Sequence, residues 1–336
     1  MSRYSGLDAP KSKSYFLFWR SAIFATILAV MGFTYIASSY VEYNWNWSQV
    51  PQYFWYEKDV EVRAELAGDI SELSKTENGY SITIMDGAYS ETLEFPVDAQ
   101  LLLGQGDYAY EGDIVGTYEV SEPGILLVSL WVTLKVSAAA IVLGITLGIL
   151  TGLSRISENP LLKWLAITYI EIIRGTPLMV QIFLWYFVVG NLINALLAQI
   201  GYSGVPPLWY GVIALAMFTG AYTAEIVRAG IQSVHRGQME AARSLGLNYA
   251  EAMRKVILPQ ALRRIMPPLA GQFISLIKDS SLLGVIAIRE VTKATREIVS
   301  TSLMPYELWI TCAILYFVLT FALSLFVQYL ERKSLR

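Results

Sequence analysis

The chain has 336 residues, 54% of them hydrophobic and only 16% charged, with a mean hydropathy of +0.45. Its apolar residues fall in long runs that are membrane spans by length, which excludes an ordinary soluble protein. One cysteine (Cys312) and one histidine (His235) exclude an internal disulfide, a cysteine metal site and a multi-histidine site, and no GxxxxGK[ST] loop is present to make a P-loop ATPase.

A formal net charge of −3 conceals an asymmetry. Residues 41–122 hold 17 of the 28 acidic residues but only 3 of the 25 basic ones. That region is about fourteen units negative and the remainder about eleven positive, a split that implies two compartments.

Residues 1–14 are polar, and with Arg20 they carry four Lys/Arg against Asp8. The apolar run 15–40 reads as a retained transmembrane anchor. A cleaved signal peptide is the rival reading, but the run is long for one and no small-x-small cleavage site stands out. Residues 41–122 read as an acidic, β-rich extracytoplasmic insert. WNWSQVPQYFWY suits a membrane interface. The stretches VEVRAEL, YSITIM and ETLEFPV alternate as strands do, with turn signals at Asn78-Gly79 and Asp86-Gly87. Gly-Asp pairs at 106–107 and 112–113 resemble the turns of barrel-sandwich domains such as the biotinyl and lipoyl carriers. No modification lysine accompanies them, so a small β spacer is expected and not a swinging arm.

Residues 123–331 read as a membrane domain. The run from Gly124 to Leu153 is longer than the ~30 Å hydrocarbon core needs, so its first residues lie near the interface or it tilts. Gly144, Gly148 and Gly152 give it a smooth packing face. A loop marked by Arg155, Lys163 and Arg174 leads to Pro177, which starts a third span reaching about Ile200. A fourth runs from Leu208 to about Ala229.

The polar loop 230–264 follows, and within it EAARSLGLNYAEAMRKVILP (240–259) reads as two short helices. Gly246 ends the first, because glycine tolerates a left-handed backbone. Asn248 with Glu251 is a capping box for the second, and Pro259 is expected to stop it. A fifth span, Met266 to Ile288, is broken at Lys278-Asp279. The amphipathic REVTKATREIVSTSL then leads to a sixth at about Glu307 to Leu330 and a tail at 332–336. Lys/Arg counts put both termini and the 230–264 loop in the cytoplasm, with the β insert and 289–306 outside. Within 289–306, Glu290 and Glu297 are expected to pair with the local basic residues.

Glu240-Ala241-Ala242, three residues, Gly246, nine residues, then Val256-x-Leu258-Pro259 resembles the EAA signature of ABC importer permeases. The family usually has isoleucine where this chain has Val256. EIIRGTPLMVQIFLWYF (171–187), GAYTAEIVRAGIQSV (220–234), GQMEAARSLG (237–246) and SLIKDSSLLGVI (275–286) are similar to its polar amino acid branch, the histidine/glutamine/arginine permease-like group. The resemblance covers roughly 124–331. His235 departs from the acidic or small residue expected there, and the short family members lack the β insert.

The resemblance implies an all-α polytopic membrane protein of the type I ABC importer permease fold, with about six transmembrane helices, to which the strand pattern of 41–122 adds a small all-β inserted domain. It implies a transport subunit and not an enzyme. Glu240, Ala241, Ala242, Leu245, Gly246, Leu258 and Pro259 would couple to an ABC ATPase, with Ala241 and Ala242 seated in its groove. ATP and magnesium would sit on that ATPase, leaving this chain without a cofactor. The other implied partners are an extracytoplasmic amino-acid-binding protein, a second permease subunit, membrane lipid and the amino acid itself. No nucleic acid is expected.

Charges inside spans are costly and are functional candidates by default. Glu225 and Arg228 form an i,i+3 pair that either braces the span or meets a substrate ammonium or guanidinium. Lys278 and Asp279 either hold a broken helix or line the pathway, and Gln181 and Ser281 offer neutral hydrogen bonds. Met179, Trp185 and Tyr186 read as packing, Lys135 as snorkelling outward, and His235 as a solvated loop residue. Two rival functions remain open. A membrane receptor would use the β insert as its ligand module; an intramembrane enzyme would need an HExxH, GxSxG or paired Asp motif, which the chain lacks.

Overall fold

The structure is a computed structural model that describes residues 12–41, 43–76 and 79–334, with side chains up to 329. Asn78, residues 1–11 of the polar N-terminus and the last two of the tail therefore lie outside the described residues. The chain divides into two compact units at Trp47 and Ser48.

The first unit is one helix, α1 (Lys13–Tyr40), with Ser12 as its N-cap. Its 28 residues reach about 42 Å, enough to cross a bilayer. None of its side chains is buried, so it presents apolar surface all round. Past its end, Trp45 stacks on Trp47 with ring centroids 5.9 Å apart.

The second unit begins with the β-rich region: β1 (Trp55–Arg63), β2 (Gly68–Thr76), β3 (Gly79–Asp86), β4 (Tyr89–Pro96), β5 (Gln100–Leu101), β6 (Tyr108–Ala109) and β7 (Ile114–Pro123). They form two antiparallel sheets, ordered β1-β7-β5 and β4-β3-β2-β6, around Ile70, Ile82, Ile84, Phe95 and Val115. The two Gly-Asp pairs build matching turns. Gly106 and Gly112 take φ of 93° and 91°, where a side chain would be strained. Asp107 accepts the Gly104 N–H at 2.8 Å and Asp113 the Tyr110 N–H at 3.0 Å. Just before β1, Tyr53 and Phe54 pack with Leu126, Ile298, Met304 and Leu308, so the region shares a core with the helices.

The helices are α2 (Ile125–Arg155), α3 (Pro160–Arg174), α4 (Leu178–Phe183), α5 (Asn191–Gln199), α6 (Pro207–Gln232), α7 (Arg236–Ser244), α8 (Tyr249–Ala252), α9 (Leu258–Asp279), α10 (Val291–Ser302) and α11 (Pro305–Ser334). A π-helical turn joins α4 to α5 and another joins α8 to α9. Among the described residues, six helical runs are long and apolar enough to cross a membrane: Lys13–Tyr40, Ile125–Arg155, Leu178–Gln199, Pro207–Gln232, Tyr249–Ile286 and Pro305–Tyr329.

The glycine face of α2 packs along α6. A Cβ on Gly144 would stand 3.0 Å from the Ala216 carbonyl, and one on Gly152 would stand 2.8 Å from that of Ala224. Such close approach needs residues without side chains.

Two expectations are corrected. The 155–174 stretch is mostly helix: α3 is capped by Asn159 and buries Ala166, Ile170 and Ile173, an i, i+4, i+7 stripe. Tyr169 then donates to the Met217 carbonyl at 2.5 Å, tying α3 to α6. The other correction is Pro259, which does not end a helix. The π turn Met253–Ile257 shifts the hydrogen-bond register, so Pro259 falls in the first turn of α9, where no backbone donor is needed.

Candidate functional site

In the loop between α6 and α9, both ends of α7 and the start of α8 are capped. His235 accepts the Gly237 N–H on Nδ1 at 3.1 Å and so serves as N-cap of α7. Gly246, at φ 87°, closes the helix, with the Leu247 N–H on the Ala242 carbonyl at 3.3 Å. Asn248 and Glu251 form the expected capping box, with bonds of 2.9 and 3.1 Å. Beneath the loop, Val227, Ile231 and Val234 meet Ile257, Ala261 and Ile265, with Met239 and Met253 packed against them. Arg264 also donates to the Ser233 carbonyl. The loop thereby shares a core with α6 and α9.

The two alanines of the signature face opposite ways. Ala242 is buried and turned toward the body, while Ala241 and Glu240 are exposed. Leu245 is 84% exposed and Tyr249 48% exposed, so the free face is Ala241, Leu245 and Tyr249. Leu258 is half-buried and Pro259 exposed. Ala242 therefore belongs to the loop's own packing and not to a docking face. A helix this short must turn one of two adjacent residues inward.

Glu225 is spoken for. Its Oε1 pairs with Arg155 at the end of α2, and its Oε2 takes two bonds from Arg228, at 2.8 and 3.1 Å. Arg228 continues to Gln232 at 2.5 Å. The cluster joins α2 to α6 through the Glu225 carboxylate. Gln181 is likewise internal: its Nε2 donates to the Ile173 and Thr176 carbonyls and the Thr176 hydroxyl, at 2.7, 3.0 and 2.9 Å, bracing the corner before α4.

At the other end of the bundle α9 changes to a 3₁₀ segment at Ser280–Ile286. Lys278 and Asp279 occupy the last turn before that change, and neither forms an ion pair with the described residues. Lys278 and Ser281 line a cavity of about 250 Å³ with Thr292, Trp309, Cys312, Ala313 and Tyr316. Behind it lies Glu290, only 1% exposed. Glu290 does not pair with a basic residue as expected; it caps α10, accepting the Thr292 and Lys293 N–H groups at 2.7 Å each, and takes the Tyr316 hydroxyl at 2.9 Å. Arg289 pairs with Glu297 instead, at 2.7 Å.

The family described as the binding-protein-dependent transport system inner membrane component matches residues 144–336, more than half of the chain. This chain belongs to that family. The probable glutamine ABC transporter permease of Bacillus subtilis is 41% identical over 201 residues, 60% of this chain and 89% of that protein. The glutamine transport system permease of Escherichia coli K12 is 37% identical over the same shares. A crystal structure of an amino acid ABC transporter with histidines is 40% identical, with a TM-score of 0.55 over 62% of this chain and 94% of that one. An inward-facing methionine ABC transporter structure, 19% identical with a TM-score of 0.51 over 63% and 97%, shares the fold.

The permease is thus a multi-pass transport subunit with the type I ABC importer permease fold, and α1 and the β strands lie outside the family match. Sequence reasoning missed the capping role of Glu290 and missed Thr292 and Tyr316. The signal for Glu290 was present, since an acid just ahead of a helix start serves its free N–H groups.

Proposed function

We propose that the permease is the membrane subunit of a bacterial ABC importer for a polar amino acid, working by alternating access as a homo- or heterodimer. Two ATPase subunits sit on its cytoplasmic face and an amino-acid-binding protein delivers substrate on the other. ATP and magnesium bind to the ATPases, and this chain binds no nucleotide. The observation that carries the reading is the capped loop 230–264, anchored to α6 and α9 and offering Ala241, Leu245 and Tyr249 outward. ATP-driven closure of the ATPases moves these faces, and the shared core turns the spans.

Orientation follows from the Lys/Arg excess of the 230–264 loop, which supports a cytoplasmic loop, cytoplasmic termini and an external β insert. Lys278, Asp279 and Ser281 are pathway candidates, and the buried Gln181 Oε1 also has no hydrogen-bond partner among the described residues. Glu225 and Arg228 brace α2 against α6. The glutamine permeases among the relatives make L-glutamine the first substrate to test. Reconstituted vesicles holding permease, ATPase and binding protein should take up L-glutamine only with internal ATP. Uptake of no amino acid by such vesicles would overturn the substrate class.

A further inference from the structure

Helix α3 (Pro160–Arg174) has three faces, and the fold uses only one of them. Ala166, Ile170 and Ile173 are buried, and Tyr169 beside them donates to the Met217 carbonyl of α6. A second stripe, Leu161, Trp164, Leu165 and Ile172, is 59–67% exposed. Its spacing of i, i+3, i+4 and i+11 places it on one side of the helix, turned well away from the buried stripe. Lys163 and Arg174, about three turns apart, share a third edge with Glu171.

With 15 residues α3 reaches about 22 Å, short of the ~30 Å hydrocarbon core, so it does not span. Ile156, just ahead of it, packs with Val227 and Ile231 in the core beneath the 230–264 loop. The helix therefore starts at the membrane end that carries this loop. Among the described residues neither Lys163 nor Arg174 is in an ion pair, and the Arg174 guanidinium lies over the Tyr222 ring at 5.3 Å. One turn along α6 from Tyr222, Glu225 already holds both Arg155 and Arg228. The basic groups here are thus Arg155, Lys163, Arg174 and Arg228, against Glu158, Glu171 and Glu225. Glu158 stands ahead of the helix start, where the N–H groups of the first turn offset it, and the Arg174 end is left positive.

A short helix with an exposed apolar stripe, a tryptophan and a basic edge suits the boundary between acyl chains and headgroups. We propose that α3 lies in the leaflet on the side of the 230–264 loop and selects anionic phospholipids. Their acyl chains cover Leu161, Leu165 and Ile172, and their phosphates take hydrogen bonds from Lys163 and Arg174. Gln181 of α4 donates to the Ile173 carbonyl, so the bound lipid bears on the corner where the third span begins. That this leaflet is the cytoplasmic one rests on the orientation proposed above; the site itself does not.

The test is quenching of Trp164 fluorescence by brominated lipids around the full-length permease in nanodiscs. Subtracting the emission of Trp164→Phe removes the other eight of the nine tryptophans. Brominated phosphatidylglycerol in plain phosphatidylcholine should quench as though enriched about fivefold over the reverse mixture, the size expected for one basic side chain at a charged surface. Lys163→Gln with Arg174→Gln should bring the two mixtures level while brominated phosphatidylcholine still quenches. The charge-keeping pair Lys163→Arg with Arg174→Lys should retain the preference. Excess inorganic phosphate should act no differently from chloride at equal ionic strength. Absence of quenching by either lipid would mean that protein, such as a second copy of the chain, covers the stripe, and would overturn the proposal. So would equal quenching in the wild type, a preference that survives in the double glutamine variant, or its loss in phosphate alone, which would mark a free-anion site. None of these readouts uses transport, so failure of the importer reading would leave them standing.

Discussion

His235 does with a ring nitrogen what an aspartate or serine oxygen does at most helix starts. Because Nδ1 must be unprotonated to accept the Gly237 N–H, His235→Ala should cost the loop about 1 kcal/mol and His235→Asn should restore it. Hydrogen exchange at Gly237 and Gln238 reads this directly; equal protection in wild type and His235→Ala would remove the cap. Glu225→Gln should lower thermal stability, because Arg155 and Arg228 lose a half-buried partner, yet leave lysine and glutamine selectivity alike. A selective loss of lysine uptake would return Glu225 to the pathway. On the β region, the Tyr56 hydroxyl (2.9 Å), followed by Lys58 (3.4 Å), holds Glu122 below the ordinary carboxylate range. Tyr56→Phe should therefore raise its titration midpoint in ¹³C NMR. Gly246 and the Asn248–Glu251 box were legible in the sequence because their chemistry is local. The cap at His235 was not, since histidine is outside the usual N-cap set.

Among elements, the α2–α6 pair depends on the absence of side chains. A Cβ on Gly148 would stand 2.8 Å from the Gly220 carbonyl, whereas one on Gly32 in α1 would meet nothing within 4 Å. Gly148→Val should destabilise by about 1–3 kcal/mol in thermal unfolding, and Gly32→Ala should be neutral. Equal effects would mean that the glycine face is incidental. This face was visible as a four-residue period, and the six spans were visible as apolar length. Less visible was α3, because Lys163 and Arg174 hid an apolar stripe of only three residues. The continuity through Pro259 was hidden too, because a π turn leaves no mark in composition.

At the scale of the molecule, the β region has a core of its own, and its ends meet. Glu57 and Ser121 are register partners on β1 and β7, so removing 58–120 brings the cut ends together. Tyr53 and Phe54 stay with their core. The shortened permease should still associate with its ATPase; loss of that association would show that the region supports the spans. Charge asymmetry marked this region, but the outward face of the 230–264 loop needed coordinates, because Ala241 and Ala242 are indistinguishable until one is seen buried.

The central claim is that the face of Ala241, Leu245 and Tyr249 transmits ATP-driven motion into α6 and α9. Leu245→Asp tests it most directly, since a side chain 84% exposed can be changed with little effect on the fold. With the isolated variant unfolding at the wild-type temperature, co-purification with the ATPase and binding-protein-stimulated ATP hydrolysis should both be lost. Wild-type association, hydrolysis and uptake in Leu245→Asp would contradict it.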